Sequence, residues 1–275
     1  LLKIAMNDKA KRMERRIALT KLLTDSPGRL FSLGYFSTMF GAAKSTLSED
    51  VEAIQQALAE FGLGKLETVA GAAGGVRFLP YVSSQSTNEI LTSLAETLAS
   101  PERVLTGGFL YMSDLLFDAH IMARVGEVFM TCFAQSRPDC IMTVETKGIP
   151  LAMMTARAFN LPLAIARHGS KVTEGSAVSV YHVSGSNRRI QTMSLPKRAI
   201  APGSRVLLID DFMKAGGTAR GMIDLVHEFD AAVVGLGVLI ATEEPSQKLV
   251  DDYQALLILS DVDEHTKTVK IHSAL

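Results

Sequence analysis

Apolar positions recur along this chain at two periods, and the change between them divides it. The front follows the helical period. Lys9 to Leu23 reads as a helix with Met13, Ile17 and Leu22 facing inward, broken by Ser26-Pro27-Gly28. Leu33 to Phe40 reads as a short second helix, and Gly41-Ala42-Ala43 turns the chain. Leu47, Val51, Ile54, Leu58 and Phe61 then step by fours and threes, one apolar stripe on a long helix that Ser45 or Ser48 can cap. Lys65 to Val69 alternates like a strand, Ala70 to Gly75 is a run of small residues, and Val76 to Leu79 forms a second strand that Pro80 ends. Three helices and a hairpin over residues 1–80 predict a winged helix-turn-helix.

From residue 81 to 275 the pattern changes. Ser83 to Thr87 is polar and linker-like. Ser86-x-x-Glu89 offers a capping box to a helix whose apolar face is Ile90, Leu91, Leu94 and Leu98, and which stops at Pro101. That helix can pack between domains or against a second copy. Gly107-Gly108 precedes a strand at Phe109 to Met112, and Ile121, Val125, Val128 and Cys132 lie on the next helix. Short, predominantly apolar runs follow at Cys140 to Val144, Leu163 to Ala166, Val206 to Ile209, Val233 to Ile240 and Leu256 to Leu259. They alternate with helices opening at Pro150, running through Met222, Leu225, Val226 and Phe229, and starting briefly at Pro245-Ser246. Val269 to Ile271 reads as an edge strand. This rhythm predicts an α/β domain around a central, largely parallel sheet. One stretch departs from it. From Arg167 to Asn187, Val178, Val180 and Val183 interleave with Ser and His, and Arg189 to Met193 returns, which reads as a long β excursion between core strands.

The chemistry concentrates where Val206-Leu207-Leu208-Ile209 ends in Asp210-Asp211-Phe212-Met213-Lys214-Ala215-Gly216-Gly217-Thr218. Ligands bind outside the carboxyl ends of parallel strands. Gly216 and Gly217 let the backbone approach an anion closely, and successive N–H groups at a helix start make a phosphate nest. Thr218 offers a hydroxyl and a cap. Asp210 and Asp211 can accept from sugar hydroxyls or hold Mg2+ through water. Phosphate on one side and a diol on the other describe a ribose 5-phosphate. A second strand-to-helix crossing, Glu145-Thr146-Lys147-Gly148, adds backbone donors and an ammonium; alone it reads equally well as a plain turn.

Charge changes the picture of the front. Residues 1–80 carry 11 Lys+Arg against 8 Asp+Glu, whereas the remainder carries 17 against 21. A basic module on a slightly acidic body suits nucleic acid. Phosphate grip falls to Arg12, Arg15, Arg16, Lys44, Lys65 and Arg77, and base contact to Ser45, Thr46 and Ser48 at the front of the long helix. Glu49, Asp50 and Glu52 would repel phosphate if they faced it; the stripe allows Asp50 to turn toward the first helix, where Arg15 or Arg16 can pair with it. A helical domain for protein contacts is the other reading of this segment. Cys132 and Cys140 lack metal-type spacing and sit in apolar runs, which suits buried free thiols in a reducing cytoplasm. No run reaches the ~18 apolar residues of a membrane span, so no membrane partner is expected. The histidines show no metal-ligand spacing.

The thirteen residues Val206 to Thr218 resemble the phosphoribosyl-pyrophosphate (PRPP) motif of type I phosphoribosyltransferases. The resemblance implies that Asp210 and Asp211 hold the ribose hydroxyls, that Lys214 to Thr218 wrap the 5-phosphate, and that Phe212 and Met213 belong to the same site. It places pyrophosphate at Thr146, Lys147 and Gly148, with Arg167 and Lys171 reaching it from the excursion; a surface hairpin with solvated bases is the alternative for those two. Ala215 departs from the pattern, since many family enzymes carry Thr or Ser there. With Lys44 to Ile54, Gly71 to Val76, Thr143 to Pro150 and Lys171 to Ser176, the whole chain resembles the purine operon repressors of Gram-positive bacteria. That resemblance implies a homodimeric repressor that binds a double-stranded DNA operator, takes PRPP as effector with or without Mg2+, and has no catalytic residues, no metal site and no other cofactor. The alternative is an active purine or pyrimidine phosphoribosyltransferase with a regulatory DNA-binding head. Only Tyr253 is aromatic across residues 236–260, which disfavours a stacked purine.

Overall fold

A computed structural model describes residues 11–71, 73–169, 175–183 and 190–275. The chain forms two compact units, one of Leu1–Ser83 with Arg157–Asn160, the other of Ser84–Ala156 with Leu161–Leu275.

In the first unit, helices α1 (Arg12–Thr24), α2 (Leu33–Phe40) and α3 (Lys44–Glu60) precede strands β1 (Lys65–Val69) and β2 (Gly75–Leu79), which pair antiparallel. Phe31 adds a third strand position by exchanging two backbone hydrogen bonds with Val76, at 2.9 and 2.8 Å. Ser32 caps α2 by accepting from the Tyr35 N–H, and Gly41 ends it in the left-handed conformation, φ +62°. The core is Leu19, Leu23, Phe36, Leu47, Val51, Ile54, Leu58 and Leu66. Two expectations change here. Met13 and Ile17 are 74% and 64% exposed, because the inward face of α1 is Arg15, Leu19 and Leu23. Phe61 lies past the end of α3 and is exposed.

The second unit opens with α4 (Ser84–Leu98), which starts two residues ahead of the capping box and lies against the far edge of the sheet. Strands β3 (Val104–Leu105) and β4 (Phe109–Leu110) make a small hairpin, and α5 (Ser113–Leu116) and α6 (Ala119–Cys132) follow. Asp118 caps α6 by accepting from the His120 and Ile121 N–H groups. Then come β5 (Cys140–Val144), α7 (Gly148–Phe159), β6 (Leu163–Ala166), β7 (Ala177–Val183), β8 (Ile190–Pro196), β9 (Arg205–Met213), α8 (Gly217–His227), β10 (Ala232–Thr242), β11 (Gln254–Asp263) and β12 (Thr268–Ser273). The six-stranded sheet runs β12-β11-β10-β9-β5-β6, parallel throughout except for β12. All five residues of β5 are buried, as are Val206 to Ile209 of β9, so helices must cover both faces. Met222, Leu225 and Val226 of α8 bury fully against the strands. The excursion is the antiparallel pair β7–β8, set against α8.

Three local expectations do not hold. Pro245-Ser246 starts no helix and lies in a run of bends after β10. Phe109 to Met112 is strand only over its first two residues. Cys140 is buried but Cys132, the last residue of α6, is exposed. Among the described residues no helix is long and apolar enough to cross a membrane.

Candidate functional site

Parallel order puts the carboxyl ends of β5, β9, β10 and β11 along one rim. A cavity of about 650 Å³ opens there. Asp210 through Ala219 line it, together with Lys147, Thr242, Glu244, residues 259–262 and the β3–β4 hairpin.

Asp210 is 5% exposed, and its Oδ1 accepts from the Asp211 N–H at 2.9 Å. Burial, and then the neighbouring Asp211 charge, push the Asp210 carboxyl well above its ordinary range. Burial also raises Asp211, while its hydrogen bonds and the Lys147 ammonium pull the other way. A buried carboxylate beside a half-buried one is met by hydroxyl donors or a cation opposite them. Vicinal sugar hydroxyls supply the first.

The anion pole follows directly. Gly216 is the N-cap of α8 at φ +83°, a conformation that disfavours any side chain, and among the described residues no side chain caps the helix. Its first N–H groups therefore remain available at the cavity wall, with Lys214 exposed beside them. Thr218 lies inside the first turn and so is not the cap the sequence suggested. The loop is braced from behind: the Leu249 N–H donates to the Ala215 carbonyl at 2.9 Å, and the Thr242 hydroxyl to the Lys214 carbonyl at 3.3 Å.

A third feature is the close approach of the Glu145–Gly148 loop. A Cβ on Gly148 would lie 2.5 Å from Thr143 Oγ1 and 3.3 Å from Asp210 Oδ1. Gly148 thus lets the start of α7 close on the carboxylates. Glu145 anchors the loop from the other side, accepting from the His168 N–H at 2.6 Å and from Arg167 Nη1 at 3.4 Å. Lys147 reaches the cavity; Thr146 and Arg167 are not among its lining residues, and Arg167 spends part of its guanidinium on Glu145. Lys171 lies outside the described residues.

Sequence reasoning missed the hairpin. Gly107, Gly108, Phe109 and Leu110 form part of the cavity wall, and the Gly107 N–H donates to Glu264 Oε2 at 2.7 Å across the β11–β12 turn. Phe109 is 67% exposed at the mouth. An aromatic ring is therefore present, supplied from more than a hundred residues away in sequence. The Gly107-Gly108 pair was the only local signal for it.

In the first unit, Lys44, Ser45 and Ser48 are exposed on the N-terminal half of α3, Thr46 is half-buried, and Lys65 is exposed at the start of β1. Arg77 pairs with Glu67 directly across the hairpin, at 2.7 Å. Arg12 is open, with Glu49 4.0 Å away. Arg15 is 7% exposed and donates to Asp50, itself 1% exposed, so its expected phosphate role is corrected: the side chain is committed inside the head. Arg16 also donates to Asp50, at 2.8 Å. Burial opposes the charged form of Asp50, but the hydrogen bonds and charges of Arg15 and Arg16 outweigh it and hold the carboxyl below its ordinary value.

Comparison with known proteins matches both units. A family model described as the N-terminal part of the bacterial purine repressor covers residues 11–80, and one described as a phosphoribosyl transferase domain covers residues 114–273. The chain is 46% identical to the purine biosynthesis transcriptional repressor PurR of Bacillus subtilis over 96% of its own length and 93% of that protein. It is 36% identical to the purine biosynthesis transcriptional activator PurR of Lactococcus lactis subsp. lactis over 95% and 96% of the two chains. Among solved structures, an adenine phosphoribosyltransferase from Rhodothermus marinus is similar in fold, with a TM-score of 0.52 at 20% identity over 61% of this chain and 98% of that one.

Proposed function

This chain belongs to the family of bacterial purine biosynthesis transcriptional regulators, a winged head joined to a phosphoribosyltransferase-type domain, and on that premise we propose that it is a DNA-binding repressor of purine-biosynthesis genes whose effector is PRPP. The observation that carries the effector assignment is the pairing of the buried Asp210 and half-buried Asp211 carboxylates with the start of α8 in one cavity. In this reading Asp210 and Asp211 take the ribose hydroxyls, and Lys214 to Thr218 take the 5-phosphate through backbone N–H groups, which makes the hydroxyl lost at Ala215 dispensable. The pyrophosphate lies toward Thr146, Lys147 and Gly148. Arg167 and Lys171 close on it from the excursion.

Among the described residues no three His, Cys, Asp or Glu side chains gather as a metal cage. Mg2+ would be held by Asp210 or Asp211 through water and by the ligand's own phosphates. The head binds its operator with Lys44, Lys65, Arg12 and Arg16 on phosphates and with Ser45, Thr46 and Ser48 toward base edges, as a homodimer on paired half-sites. For PRPP to release DNA it must bind the DNA-free state more tightly, by about 1–3 kcal/mol for an ordinary allosteric coupling.

Fluorescence anisotropy of a purine-gene control duplex, titrated with PRPP and Mg2+, tests this. High affinity that falls as PRPP rises supports it; DNA binding indifferent to PRPP removes the effector, and no binding at low salt removes the repressor. Transcription from the same promoter fixes the sign of regulation, since the Lactococcus relative is named an activator.

A second reading has one observation in its favour. Phe109 at the mouth of a cavity of about 650 Å³ is placed to stack a planar base, as an active transferase requires. No consumption of PRPP with any common purine or pyrimidine base eliminates that reading.

A further inference from the structure

Among the described residues of the head, Asp50 is the only buried carboxylate, and three guanidiniums of α1 converge on it. Arg15 Nε donates to Oδ2, Arg16 Nε donates to Oδ1 at 2.8 Å, and Arg12 Nε stands 3.7 Å from Oδ1. The side chains form a gradient outward: Arg15 is 8% exposed, Arg16 32% and Arg12 64%. Even when Glu49, 4.0 Å from Arg12, is counted against them, three guanidiniums outnumber the two carboxylates. The excess positive charge sits between α1 and the N-terminal half of α3, beside exposed Lys44, Ser45 and Ser48.

Guanidinium geometry explains what that excess is for. The group carries five N–H donors in a rigid fork. Arg16 places only its Nε on Asp50, and among the described residues its two Nη groups have no hydrogen-bond partner. One edge is tethered to a buried acceptor while the other keeps four donors on a partly exposed side chain. That matches a phosphate, which takes paired N–H donors from a fork held in place.

Building on the DNA-binding reading above, the geometry points to Asp50 as a positioning residue that presents Arg16, with Arg12 outside it, to the phosphate backbone flanking the helix α3 contacts. Arg15 is the counter-ion that allows Asp50 to sit in the interior. An acidic residue inside a recognition helix thereby assists the grip on a polyanion. It faces away from the DNA and orders the cations that face toward it.

Arg16→Lys separates this role from the simpler ones. A lysine supplies the same charge for DNA and the same ion pair for Asp50, but its ammonium is a compact point charge without the span of the fork, so held at the buried carboxylate it does not reach a phosphate lying off the far edge. The full chain is titrated against a labelled purine-gene control duplex between about 50 and 200 mM salt, where log K falls by about 0.9 per phosphate contact for each unit of log salt. The proposal expects Arg16→Lys to behave like Arg16→Gln, with a slope shallower by about 0.9 per bound head and affinity roughly tenfold weaker. Wild-type slope and affinity in Arg16→Lys would overturn it.

Asp50 itself is tested in the double variant Asp50→Ala with Arg15→Leu, which replaces the buried pair with apolar side chains and leaves the net charge unchanged. DNA binding about tenfold weaker, with wild-type helicity by circular dichroism, is expected because Arg16 is no longer held. Unchanged or tighter binding sinks the positioning role; if this variant does not fold, the lysine series still decides. Absence of DNA binding by the wild type would instead overturn the DNA reading itself, so the two failures are distinguishable.

Discussion

Gly148→Ala is the sharpest single perturbation of the proposed PRPP site. The added Cβ meets Thr143 Oγ1 at 2.5 Å, about 0.9 Å inside ordinary van der Waals contact. Neither side can yield easily. Thr143 is fully buried on β5, and Gly148 begins α7, whose Leu151 and Ala152 are fully buried. Overpacking of this kind costs about 1–3 kcal/mol. For a domain of this size that is roughly 2–12 °C in melting temperature. Relief by backing the loop away from Asp210 shifts Lys147 by up to about 1 Å and so weakens its reach to a bound PRPP. The assay is a double-mutant cycle read by scanning fluorimetry and by calorimetric PRPP binding. Thr143→Ala alone should be mild, because among the described residues no group pairs with its buried hydroxyl. Combined with Gly148→Ala it removes the colliding atom and leaves Asp210 Oδ1 at 3.3 Å as the nearest neighbour, which small adjustments accommodate. Most of the lost stability and affinity should return. If Gly148→Ala melts and binds like the wild type, or if Thr143→Ala restores nothing, the close-approach argument is wrong.

Other outcomes follow from the same structure. Asp210 has a folded pKa above its unfolded one, so the folded state holds the proton more tightly and stability falls as pH rises between the two values; Asp210→Asn should therefore melt higher than wild type, by more at pH 8 than at pH 5, while losing PRPP binding, and an equal gain at both pH values would contradict it. Gly216→Ala must adopt φ +83° with Leu249 N 3.3 Å from its Cβ, which should cost about 1–2 kcal/mol and weaken the 5-phosphate grip, visible as reduced binding of ribose 5-phosphate. Arg15→Met strips Asp50 of its most buried partner; a loss of about 3 kcal/mol is expected, the low end for a broken buried pair because Arg16 still covers Oδ1. Because Asp50 has a folded pKa below its unfolded one, the Arg15 contribution is present above the ordinary carboxylate range and lost as pH falls below it, so an Arg15→Met melting deficit that persists undiminished at low pH would refute the ion-pair account.

The amino-acid order alone determined whatever is local. The strand Val206 to Ile209, the paired aspartates, the Gly216-Gly217 turn and the face of α8 were legible because strand, turn and helix signals there are contiguous and agree. The parallel sheet was legible from its predominantly apolar runs, and so was the pairing of Asp50 with α1 from the spacing of its stripe. Only the tertiary structure decided what depends on partners distant in sequence. Periodicity assigned Met13 and Ile17 to the inside of α1, but a carboxylate 35 residues away draws Arg15 inward and turns the helix. The run after β10 is bent rather than helical, with the Leu249 N–H spent on the Ala215 carbonyl of a distant loop and the Lys248 ammonium on the Thr242 carbonyl. Phe109 reaches the cavity mouth because Glu264, 157 residues from Gly107, holds the tip of the hairpin. A hydrophobic period records which positions avoid water. Which buried or half-buried neighbour each side chain meets depends on how separate elements pack, and nothing within one element's own sequence specifies that.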